Sequence, residues 1–117
     1  MKTTEHDLKM DLHVHSPASF DYLGDKSTHG YAALVEAFVN EGVDVIALTD
    51  HNTISGYIEY SKQVELSRET YRLMAARDDK ASIVQELKSE VERFEKLQVF
   101  PGIEISAYPN VHLLLLF

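Results

Sequence analysis

No cysteine occurs among the 117 residues. Disulfides, thiolate zinc sites and cysteine nucleophiles are therefore excluded, and cysteine usage says nothing of the redox compartment. Proline and glycine are scarce, at 3 and 5. With 44% apolar and 26% charged residues, this composition argues against a disordered or fibrous chain. Basic residues are outnumbered, 11 Lys and Arg against 19 Asp and Glu, for a net charge of −8. A general binder of nucleic-acid backbones needs clustered Lys and Arg, so the balance speaks against that class. Long hydrophobic runs are missing too: the longest, Leu113 to Phe117, is far too short to span a bilayer. The opening residues Met1 to Asp7 contain no apolar stretch of a signal peptide, so a cytoplasmic chain with no membrane association is expected. The length allows one domain at most. The sequence also closes on its most apolar run, a fully buried type of strand with no polar tail. That pattern is expected of a piece of a longer chain, and an exposed edge of this kind would invite aggregation.

What is present is α/β patterning. Leu8, Met10, Leu12 and Val14 alternate with polar residues, the period of a strand over Leu8 to Val14. Residues 16–30, with Pro17, Gly24 and several Ser and Asp, form a loop. Tyr31 to Asn40 places Leu34, Val35, Phe38 and Val39 at helical spacing, with Thr28 as the expected N-cap and Gly42 just past the end. Val43 to Leu48 is a nearly continuous apolar run, the pattern of a strand buried on both faces. Strand, helix and strand in that order predict a βαβ unit and a parallel sheet. From Asn52 to about Gln98 the chain is polar and helical in period. Tyr57, Tyr60, Val64, Tyr71 and Met74 form one apolar stripe, and Val84, Leu87, Val91, Phe94 and Leu97 form another. Arg77-Asp78-Asp79 marks the break between two helices, and Ser82 with Gln85 is a candidate capping box. Two surface helices packed on a core is the simplest expectation. A hairpin that binds a partner, or a second copy, is the alternative. Val99 to Ile105 and His112 to Phe117 read as two further strands.

Histidine carries the chemical signal. Six occur, at 6, 13, 15, 29, 51 and 112, and four of them sit at or beside strand ends, where α/β folds place their active sites. His13 and His15, two apart on a strand, point to one side, so both imidazoles can reach one metal ion. A buried strand ends in Thr49-Asp50-His51. There Asp50 either orients a ligand histidine or caps the following helix, and His51 is a ligand or incidental. Glu104 lies between Ile103 and Ile105, where burial is costly unless the carboxylate is paired or metal-bound. An exposed strand face is the other possibility. Beside three strand-end histidines, a bridging carboxylate is favoured. His112 opens an apolar strand, as a boundary residue or a ligand. Four successive strands each deliver a His or Glu to one end, and imidazole with carboxylate but no thiolate suits zinc, manganese or iron rather than calcium.

Taken in order, Asp11-Leu12-His13-Val14-His15-Ser16, Thr49-Asp50-His51, Gly102-Ile103-Glu104 and His112-Leu113-Leu114 resemble the motifs of the PHP family, named for polymerase and histidinol phosphatase. The likeness covers nearly the whole chain. It implies a metal-dependent phosphoesterase of α/β class on a distorted (β/α)7 barrel. Residues 1–117 would be the N-terminal portion of that barrel, with a helical insertion at about 55–98. By the same resemblance, His13 and His15 hold one ion, Glu104 bridges it to a second that His112 also binds, and His51 serves a third. Asp21 best fits the further ligand expected in the loop after His15, with Asp25 the lesser candidate. Asp50 and Glu104 are carried over as catalytic carboxylates. The cofactors implied are two or three divalent ions, Zn, Mn or Fe. His6 and His29 match no motif and are expected at the surface. The family completes its cluster with a later histidine and a late Asp-x-His, and neither follows His112 here.

The activity implied is phosphoester hydrolysis by metal-activated water, on a small phosphomonoester or a nucleic-acid end. A net charge of −8 suits a site that meets phosphate with metal ions rather than Lys and Arg. Two other classes compete. One is a non-catalytic metal-binding or regulatory PHP module of a larger ATPase-like protein, docking through its helical insertion. The other is an amidohydrolase-like metal hydrolase, which also carries His-x-His on its first barrel strand; the wording around Asp50 and Glu104 favours PHP over it. Half a barrel leaves an unpaired strand and an incomplete ligand set, so little activity is expected of these residues alone.

Overall fold

Val45–Leu48 buries all four of its side chains. In the computed structural model, which describes residues 7–107 and 110–117, this segment is strand β2. It lies between β1 (Met10–Val14) and β3 (Gln98–Ala107), parallel to both, and β4 (Val111–Leu116) pairs with the far side of β3. The sheet order is β1-β2-β3-β4. A strand paired on both sides and covered on both faces has no place for a polar residue, hence its continuous apolar sequence.

Connection lengths set the strand directions. Helix α1 (Gly30–Asn40) carries the chain from β1 to β2. The hairpin of α2 (Ser55–Ala75) and α3 (Ser82–Lys96) carries it from β2 to β3. Parallel neighbours need crossovers of that size. Only residues 108–110 separate β3 from β4, so this pair is antiparallel. The βαβ unit of β1, α1 and β2 is parallel as its pattern predicts, β3 continues the parallel order, and β4 alone runs antiparallel.

Helix α1 buries Tyr31 and Val35 against the sheet and ends at Glu41, with Gly42 at φ 75°, a left-handed position that glycine takes without steric cost. Its N-cap is His29 rather than the expected Thr28, and no side chain caps it. The two apolar stripes of α2 and α3 pack inward as the simplest expectation has it. Tyr60, Val64, Val84, Phe94 and Leu97 are buried, and the Tyr60 and Phe94 rings meet nearly edge to face at 5.9 Å. Each such apolar side chain contributes about 1.5–3 kcal/mol on burial. Between the helices the Ser67 hydroxyl donates to Glu90 at 2.6 Å. The capping box expected at Ser82 and Gln85 does not form. Ala81 is the N-cap, and the Gln85 amide donates instead to the Asp79 carbonyl at 2.7 Å.

The sheet edges differ from the expectation. β1 begins at Met10, the first residue with a partner on β2, rather than at Leu8. Leu8, Met10 and Leu12 are exposed, and only Val14 of that face is buried. β4 has the sequence of a buried strand, yet all six of its residues are exposed. It is an edge strand, paired with β3 alone. The radius of gyration, 16.4 Å, exceeds the roughly 13 Å of a compact chain near this length, in keeping with these open edges. Among the described residues no helix is long and apolar enough to cross a membrane.

Candidate metal centre

The three parallel strands end together, and the chemistry-bearing residues lie at that end. His13 is the penultimate residue of β1, and His15 is one residue past it. Asp50 and His51 follow β2. Glu104 lies on β3 beyond its last pairing with β2, which is Leu48 with Pro101. His112 is the second residue of β4 and pairs with Ser106. Because β4 runs antiparallel, its start lies beside the end of β3, so the change of strand direction brings His112 to the same edge as the others.

Glu104 is the hub. It is 4% exposed, on a strand whose flanking Ile103 and Ile105 are half-buried. Of the two possibilities left by the sequence, the buried carboxylate is the one realised. The backbone clamps it: Glu104 N donates to Asp50 O at 3.0 Å, and Asn52 N donates to Glu104 O at 2.7 Å. Oε1 lies 2.7 Å from His13 Nε2 and 2.9 Å from His15 Nε2. Oε2 lies 2.7 Å from His112 Nδ1 and 3.6 Å from His51 Nδ1. Burial works to raise the Glu104 pKa, but the bonds with His15, His13 and His112, helped by the His51 charge, outweigh it and bring the pKa down to about 2. The carboxylate is thus ionised across the physiological range.

Asp21 closes the other side. Its Oδ2 is 3.0 Å from His51 Nε2, and its Oδ1 is 3.3 Å from His15 Nδ1. The Ser19 hydroxyl donates to Oδ1 at 2.6 Å and is the chief reason that the Asp21 pKa lies below its ordinary value, with His15 and His51 adding to it against burial. Three groups of possible ligands result among the described residues: His13, His15 and Glu104; His15, Asp21 and His51; and His51, Glu104 and His112. Within each, the donor atoms lie within 4.8 Å of one another.

Proton accounting supports a cation here. A neutral imidazole has one N–H, and a carboxylate only accepts. His15 and His51 each turn both nitrogens toward carboxylates, Glu104 on one side and Asp21 on the other. A neutral ring in either place leaves a lone pair facing a carboxylate oxygen. A proton on that nitrogen or a divalent ion between the two would remove that repulsion, and imidazole and carboxylate are donors that bind divalent metals.

Asp50 has a different part from its neighbours. It is 1% exposed, and its carboxylate accepts from both the backbone N and the hydroxyl of Ser16, each at 2.6 Å. Among the described residues it neither caps α2, whose N-cap is Ile54, nor bonds a histidine directly. Through its two bonds with Ser16 it fixes the backbone immediately after His15. Asp25 belongs to none of the three groups; its carboxylate accepts from Ser27 N at 2.8 Å. His29 is exposed, and His6 lies outside the described residues.

Sequence reasoning did not single out Ser19, Asn52 or Gly56. Asn52 has φ 54°, a left-handed conformation that asparagine tolerates better than most residues, and its Oδ1 accepts from Ser106 N at 3.0 Å, tying the β2 exit to β3. Gly56 stands where a Cβ would come within 1.9 Å of Asp50 Oδ2 and 2.1 Å of Ser16 Oγ. A glycine inside a helical pattern was the available signal.

The family model of the PHP domain matches residues 11–116. The chain belongs to the PHP domain family. PHP domains lie within a hydrolase superfamily and typically bind divalent metals, and the His and Glu groups of this chain have the donors for that. The mixed α/β architecture with its four-stranded sheet fits part of a PHP barrel. No curated protein matches the chain.

Proposed function

We propose that this PHP domain is a metal-dependent phosphoesterase centre, with His13, His15, Asp21, His51, Glu104 and His112 as its metal ligands. The observation that carries the proposal is Glu104, a buried carboxylate with one oxygen facing the two imidazoles at the end of β1 and the other facing His51 after β2 and His112 on β4. The three ligand groups share His15, His51 and Glu104, which suits two or three ions held close together. Bound divalent ions would supply Lewis acidity toward a phosphoryl oxygen and a water nucleophile at neutral pH. The chain's own residues do the positioning. Glu104 stays ionised, Asp21 holds the loop after β1 against His15 and His51, and Asp50 with Ser16 fixes the backbone that carries His15. With 11 Lys and Arg against 19 Asp and Glu, the chain suits a site at which an anionic ester is met by bound ions.

The helical hairpin, about 55–98, is proposed to be an insertion in the barrel. The exposed apolar residues of β1 and β4 support a further proposal, that the sheet continues into more of a barrel in a longer protein. The direct test is metal-dependent phosphate chemistry. The chain loaded with Mn²⁺ or Zn²⁺ should bind inorganic phosphate, and a protein containing it should hydrolyse phosphoesters, with both lost on chelation. Turnover indifferent to chelation would overturn the proposal.

A further inference from the structure

Phe20 is a large apolar side chain left 78% exposed on a loop that is otherwise held in place. On one side, Ser19 N donates to Ser16 O at 2.9 Å. On the other, the Asp21 carboxylate lies against His15 and His51. The Lys26 ammonium donates to the Phe20 carbonyl itself at 2.9 Å. The backbone is thus pinned around Phe20, and the ring sits 5.2 Å from the His51 imidazole at a tilt of 45°. Leu23, wholly exposed, adds apolar surface to the same loop.

None of this is explained by metal binding, because a phenyl ring is no ligand for these ions. Nor does the ring stabilise the fold by burial, since most of it remains in water. A backbone hydrogen-bonded around Phe20 presents an open aromatic face beside His51, the arrangement of a stacking surface formed before a ligand arrives. We propose that Phe20 is a specificity residue. It selects phosphoesters whose alcohol carries a planar ring, a nucleoside or an aryl group, by stacking on that ring while the phosphate lies at the metal ligands. The proposal rests on the phosphoesterase function above and gives it a substrate class.

The test uses the Zn²⁺-loaded chain and four probes: inorganic phosphate, glycerol 2-phosphate, phenyl phosphate and adenosine 5′-monophosphate. Dissociation constants come from calorimetry, and the Phe20 ring resonance, assigned by its loss in Phe20→Leu, reports stacking. A ring-bearing ester should bind about tenfold more tightly than glycerol 2-phosphate and shift the Phe20 resonance. Phe20→Leu should abolish that advantage while leaving metal content and inorganic phosphate affinity unchanged, and Phe20→Tyr should retain it. Preference for the adenosine ester identifies a nucleoside site, and preference for phenyl phosphate an aryl one. Equal affinity for all the esters, or an advantage that survives Phe20→Leu, overturns the proposal. Failure of the metal-loaded chain to bind inorganic phosphate overturns the phosphoesterase function, and the proposal with it.

Discussion

Glu104 Oε1 and His13 Nε2 lie 2.7 Å apart, although 91 positions separate the two residues in the chain. Their strands are not neighbours, since β2 runs between β1 and β3. The two side chains therefore meet beyond the end of β2, and the cluster depends on all three parallel strands keeping register.

Glu104→Gln nearly preserves volume but removes the anionic hub that four imidazoles face. Metal affinity should fall by more than the roughly 10- to 100-fold that losing a supporting hydrogen bond around a metal site costs. Competition against a chelating dye measures this. Unchanged affinity and stoichiometry would remove Glu104 from the ligand set.

Gly56→Ala places a methyl group 1.9 Å from Asp50 Oδ2. The expected cost is about 1–3 kcal/mol of stability, with metal affinity weakened as the Asp50–Ser16 pair moves. Asp50→Asn should weaken metal affinity about 10- to 100-fold without removing a ligand. Thermal unfolding with and without metal separates the two effects. A Gly56→Ala variant as stable and as metal-competent as the parent would contradict the packing described.

Much of this was legible in the sequence. The period-two spacing of His13 and His15, the apolar run of β2 and the stripes of α2 and α3 are local patterns, and the structure follows them. What was not legible depends on distant residues. Asp21 is one of two acidic residues in its loop; the family resemblance favoured it over Asp25, but its contacts with His15 and His51 are tertiary. Asp50 was expected to serve a histidine or a helix end, but Ser16, 34 residues earlier, takes both of its oxygens. The Ser82 and Gln85 spacing gave a capping signal, but the helix takes Ala81 as its N-cap and Ser82 falls inside its first turn. β4 has a buried-strand composition, and nothing local reveals that it sits at an edge. Its direction was accessible, because residues 108–110 are too few for a parallel crossover.

The inward packing of the hairpin can be tested away from the metal. Phe94, 5% exposed and against Tyr60, should cost about 3–5 kcal/mol when changed to Ala. Leu73, 54% exposed on α2, should change stability by no more than about 0.5 kcal/mol on the same substitution. Denaturant unfolding of both variants checks the contrast, and equal effects would contradict the placement of the stripe.

The open β4 edge makes a separate prediction. Leu113→Lys with Leu115→Glu, at two exposed positions, should reduce self-association in sedimentation velocity at little cost in unfolding free energy. A large loss of stability would show that those side chains are buried.

Metal binding should also appear as stability. An ion that binds the folded chain alone contributes about 2.7 kcal/mol at a hundredfold excess over its Kd. The melting temperature should therefore rise with Zn²⁺ or Mn²⁺ and fall back on chelation.

Elemental analysis of the purified chain, beside His13→Ala and Glu104→Ala, tests the central claim most directly. Two or three transition-metal equivalents in the parent, reduced in both variants, are predicted. No metal under any loading condition, or a content that both substitutions leave intact, would contradict the assignment of these residues to one metal centre.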